Sequence, residues 1–128
     1  MFLFKVVLCL IGYYLTYYLN NTKNLGPIKA SAFVALPIGI LYQIAIYYQF
    51  NLLLIKDIAA IMMGATFMGM ISNKHQHQLL DFISSSFIFC VLYHHIADFF
   101  DGFGGLLGTI ACISILSVFG IERILKKI

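Results

Sequence analysis

The residues best equipped for chemistry lie near the end of the fourth apolar stretch. His94 and Asp98 are four apart, and His95–Asp98 and Asp98–Asp101 are three apart, so a helix could aim several of them at one point. Imidazole and carboxylate in that pattern suit zinc, iron, manganese or a proton relay. His77 and Asp81 repeat the four-residue spacing at the other end of the same stretch, with His75 beside them. The two groups are roughly 25 Å apart along a helix. A divalent metal is the one cofactor this set could take. The competing account is that these are polar residues beside loops, where His and Asp are cheap, because no third ligand sits at a firm spacing on one face.

The elements that must position them are membrane helices. Of 128 residues, 62% are hydrophobic and only 10% charged, and the mean hydropathy is +0.95. Soluble domains carry about 25% charged residues, so a water-soluble fold is excluded. The net charge of +3 is too small and too scattered for nucleic acid. The stretch Gly102–Ile121 is uncharged and long enough to cross a bilayer, with Gly104, Gly108 and Cys112 at spacings of four. The expectation is an all-α polytopic transmembrane helical bundle, one integral-membrane domain over residues 1–128. Its spans are placed at about 2–19, 28–48, 58–72, 82–97 and 102–121. A four-span reading stays open.

The third span is the hardest to bound. Lys56 and Asp57 sit either inside a stretch beginning at Leu52 or at the edge of one beginning at Ile58. The edge is preferred, because a charge at the bilayer centre costs about 2.5 kcal/mol or more. Pro37 lies inside the second span, where it frees the carbonyl four residues earlier, and with Gly39 it predicts a break beside a cavity. With five spans, Lys23, Lys29, Lys74 and the Arg123/Lys126/Lys127 tail fall on one side. The positive-inside rule then puts the C-terminus in the cytoplasm and the N-terminus outside, at a cell inner (plasma) membrane, with Lys5 dissenting. No small-x-small cleavage site follows the first apolar run, so it reads as an uncleaved span.

Small residues point to close packing. Gly64 and Gly69 give the third span a small face, and Gly104 and Gly108 do the same for the fifth, either within the chain or between copies. Cys9, Cys90 and Cys112 fall in apolar runs and read as packing residues rather than disulfides. The Met group of the third span fits flexible packing better than copper binding. Cys9–Leu15 can be laid on Cys90–Ile96, and Gly26–Ser31 on Gly104–Thr109. That offset of three spans would make an inverted repeat, a common transporter build. In length the chain is similar to the small dimeric fluoride channels and the small multidrug exporters. It departs from both in its residues: the only Glu is Glu122 in the tail, and no Thr/Ser-rich break is present. No site is carried over.

No nucleophile elbow or hydrolase constellation appears, so the chain is not expected to be an enzyme. The functional expectation is a homo-oligomeric transporter or channel for a small solute or ion, with metal or proton contacts at His94, His95 and Asp98. The rival is a non-transporting subunit of a larger membrane complex. The expected partners are the lipid bilayer and either further copies or a membrane-complex partner.

Overall fold

Five α-helices follow one another: α1 (Phe2–Asn21), α2 (Pro27–Tyr47), α3 (Leu52–Met68), α4 (Leu79–Ile96) and α5 (Leu106–Lys127). The structure is a computed structural model that describes residues 1–49, 52–71, 79–96, 99 and 105–128. No strand occurs among the described residues. α1, α2, α4 and α5 are long and apolar enough to cross a membrane. On length and composition, these four helices mark a membrane protein.

Helix boundaries follow local chemistry. Pro27 occupies the first turn of α2, where its missing N–H costs nothing. Gly26 precedes it at φ 85°, a left-handed conformation that a residue with a Cβ rarely adopts. α2 continues as one helix through Pro37, which faces outward. Gly39 lies 3.7 Å from the Met63 methyl group, measured from where its Cβ would be.

α3 is longer at its start than the expected third span. It starts at Leu52, six residues ahead of the expected 58–72, and takes Lys56 and Asp57 into the helix. The reason is tertiary. Asp57 meets Lys5 of α1, and the pairing offsets part of the cost that argued for leaving the charges outside.

Contacts fix the helix directions. Lys5 meets Asp57 near the starts of α1 and α3, and Asn20 and Asn21 near the end of α1 both donate to the Ile71 carbonyl, at 3.2 and 3.1 Å. α1 and α3 thus run parallel. α4 runs opposite to both: Phe82 at its start packs against Tyr13 and Tyr17, and Tyr93 at its end meets Asp57. α1 therefore lies between α3 and α4 as a shared wall. α2 packs on α1 and α3, and α5 on α3 and α4.

Glycines set how close α3 can come. A Cβ at Gly69 would stand 2.8 Å from the Tyr13 carbonyl, and one at Gly12 would stand 3.1 Å from the Ala65 Cβ. At Gly64 a Cβ would run into the Phe89 ring of α4. Gly64 and Gly69 therefore serve packing within the chain. The core around them holds Cys9, Tyr13, Ile61, Ala65, Met68, Phe89 and Cys90. The Tyr13 and Phe82 rings pack at a 45° tilt with centroids 4.5 Å apart, a pairing worth about 0.5–1.5 kcal/mol beyond burial.

Candidate functional site

Buried polar side chains collect where α1, α3 and α4 meet. At one end the Lys5 ammonium lies 2.7 Å from Asp57 Oδ2, with side-chain exposures of 17% and 39%. The Lys5 ammonium is largely covered, while more than a third of the Asp57 side chain stays exposed. The Tyr93 hydroxyl donates to Asp57 Oδ1 over 3.4 Å, a long bond. Three helices thus converge on one carboxylate. Lys56 adds a second ammonium on the same helix, next in sequence.

One turn further along, Cys9 of α1 and Cys90 of α4 place their thiols side by side, with Ser86 next to Cys9. All three are essentially inaccessible, and the Ser86 hydroxyl lies against the Cys9 thiol, with no other partner among the described residues. The Lys5 ammonium is near enough to Cys90 for its charge to act on the thiol. All three cysteines are free, and Cys112 alone is exposed.

The next turn holds Tyr13 and Ser85, both buried, with the Tyr13 hydroxyl facing Ser85. Ser85 Oγ donates to the Asp81 carbonyl over 2.6 Å. Asp81 opens α4, half-buried, and its carboxylate acts on Tyr13 across the helix interface. From Asp81 to Tyr93 the seam runs roughly 18 Å along α4. It carries an acid at each end, and between them hydroxyls and thiols alternate with the Phe82 and Phe89 rings.

Helix spacing builds this arrangement. Lys5, Cys9 and Tyr13 recur every four residues on α1, and Tyr93, Cys90 and Ser86 recur at three and four on α4. That pattern is present in the sequence. It is hidden because each residue alone has a simpler account: Lys5 as a topological charge, the cysteines as packing residues, the serines as intrahelical donors.

The expected site residues are placed differently from one another. His94 and His95 end α4, exposed, with rings 5.6 Å apart and crossed at 65°. They lie at the Asp57 end of the helix. Asp98, Asp101, His75, His77 and Gly104 lie outside the described residues. Asp81 belongs to the seam at the opposite end. Among the described residues, no three His, Cys, Asp or Glu side chains gather as metal ligands would. Among the described residues, nothing lies within 4 Å of the Gly108 Cβ position, whereas the corresponding space at Gly64 and Gly69 is filled.

Compared with known proteins, the chain matches no family model, no curated protein and no solved structure.

Proposed function

We propose that this chain crosses the inner (plasma) membrane of the cell five times and moves a small ion or solute across it. The observation that carries the reading is the Lys5–Asp57 pair with Tyr93, which joins three helices near the starts of α1 and α3. Ionisable groups within membrane helices are expensive and lie characteristically on ion and proton pathways. A protein that needed only to pack could fill this position with leucine at lower cost. The antiparallel meeting of Cys9 with Cys90 adds support. These are the two positions that the inverted alignment superposes, and a local twofold would bring them together.

For orientation, an odd number of crossings puts Lys23 and Lys29 on the same side as Arg123 and Lys127. The positive-inside rule makes that side cytoplasmic and leaves the N-terminus outside. Lys5 fits this orientation because its charge is held by Asp57 rather than by the aqueous phase.

The test is flux from liposomes loaded with salt gradients. Wild-type protein should dissipate at least one small-ion gradient well above the leak of empty vesicles, and Asp57→Asn should lose that activity at unchanged folded yield. Equal flux from wild type and variant would overturn the role given to Asp57.

The second reading, a subunit that docks on another membrane protein or on a second copy, has one observation in its favour. Gly108 and Gly120 of α5 both have open space at the Cβ position, and Cys112 is exposed four residues beyond Gly108. Small residues at such spacing let helices approach closely. Because Cys9 and Cys90 are buried, oxidative cross-linking in native membranes would report on Cys112 alone. A band at twice the 14.4 kDa chain mass favours a homo-oligomer, and a heavier adduct containing a different protein favours the subunit reading.

A further inference from the structure

The outer grooves of the bundle offer a ligand little chemistry. One of about 410 Å³ lies between α1 and α4, walled by Leu10, Tyr14, Leu79 and Ile83, and another runs along α2 beside Ile40, Gln43 and Tyr47. Both suit lipid chains. The interior of the α1/α4 interface differs, because it brings two sulfur atoms together. Cys9 of α1 and Cys90 of α4 meet thiol against thiol, and both side chains are buried.

Packing explains a single buried cysteine, which behaves as a small apolar residue. It does not explain the polar company that each of these two keeps. The Ser86 hydroxyl lies against the Cys9 thiol, and the Lys5 ammonium is near enough to Cys90 for its charge to act there. Helix spacing supplies both neighbours: Lys5 stands one turn before Cys9 on α1, and Ser86 one turn before Cys90 on α4. A hydroxyl donor beside one sulfur and a cation near the other suit a pair of thiolates, and neither serves an apolar contact.

From this arrangement we infer that Cys9 and Cys90 form a two-coordinate site for a soft monovalent cation, copper(I), inside the bundle. Thiolates select copper(I), zinc and iron–sulfur clusters among the common metals. Zinc and the clusters take more ligands than two. Among the described residues, no third His, Cys, Asp or Glu joins the pair, whereas copper(I), a closed-shell ion, is satisfied by two thiolates in a line. The inference stands on this buried pair and not on the transport reading.

Binding balances without a co-reactant. One copper(I) ion enters, two sulfur–copper bonds form and both thiol protons leave to water, with nothing oxidised or reduced. The complex carries a single net negative charge, the sign that the nearby Lys5 ammonium stabilises while it also holds Asp57. A disulfide would use the same two thiols. Burial argues against it, because cysteines that respond to oxidants are solvent-accessible, and here that residue is Cys112.

The experiment uses full-length Cys112→Ser protein, so that the exposed thiol takes no metal. It is purified without air in micelles and titrated with copper(I) against a chromogenic copper(I) chelator. One copper(I) per chain is expected, with sulfur as its only ligand type in X-ray absorption and with no competition from zinc. Adding Cys9→Ser or Cys90→Ser should abolish the binding. Ser86→Ala keeps both ligands, so it should still take one copper(I) and hold it about 10–100-fold more weakly, the usual cost of losing a group that supports a ligand. No copper(I) bound, or equal binding in both cysteine variants, would overturn the inference. So would a Cys9–Cys90 disulfide formed in air by protein that takes no copper(I), which would make the pair a redox link between α1 and α4. Copper(I) bound in this way by protein that moves no ion in liposomes would support the site and overturn the transport reading alone.

Discussion

The glycines of α3 and those of α5 are the same residue doing opposite things. At Gly64 and Gly69 the missing side chain is occupied by Phe89, Thr16 and the Tyr13 backbone, and that close approach lets α1, α3 and α4 form one core. At Gly105, Gly108 and Gly120 the missing side chain leaves open space. The first group shows what a small-residue face does once its partner is in place. The second shows the same kind of face with none of the described residues covering it. A sequence pattern of small residues therefore predicts close approach without naming the partner, and only the contacts divide one case from the other.

The sharpest way to break this contrast is to add one methyl group on each side of it. Gly69→Ala should destabilise the protein by about 1–3 kcal/mol in denaturant unfolding from mixed micelles, because its Cβ meets a backbone carbonyl that cannot rotate away. Gly108→Ala should change stability by no more than about 0.5 kcal/mol in the same assay. Equal effects at the two positions would show that the open face of α5 is covered in the folded protein.

A smaller effect is expected where α1 and α3 are joined by charge. A double-mutant cycle on Lys5→Ala and Asp57→Ala should give a coupling energy of about 0.5–3 kcal/mol, as residues in direct contact do. A coupling near zero would mean that the two helices are held by their glycines alone. The smallest change belongs to the other end of the same pair of helices. Asn20→Ala removes one of two donors on the Ile71 carbonyl, and Asn21 retains the other. The loss should be at the lower end of the range for one hydrogen bond, about 0.5 kcal/mol, read from the unfolding midpoint.

Much of the helical layout was legible from the chain, because apolar runs bounded by Asn, Gly, Pro and charge leave few ways to fold in a bilayer. The expected 2–19 and 28–48 lie within two residues of α1 and α2. The start of α3 was not legible. Nothing near Lys56 and Asp57 says that a lysine 52 positions earlier than Asp57 will come to lie beside it, and local cost alone argues for the helix edge. The seam was missed for a related reason. Sequence reasoning favours residues that are chemically loud, and His94 and His95 are louder than Ser86. The structure leaves the histidines exposed at a helix end and buries the serine. Periodicity could have shown Lys5, Cys9 and Tyr13 on one face of α1, but not that Tyr93, Cys90 and Ser86 would face them from an antiparallel helix.

The bond between Lys5 and Asp57 also has a consequence in time. The ribosome makes Lys5 52 residues before its partner, an interval of roughly 3–10 s at about 5–20 residues per second. Through that interval the ammonium has no counter-charge from Asp57. The contact that joins α1 to α3 at this end therefore closes only after α3 has been made, so the pair ties together two helices that are synthesised apart.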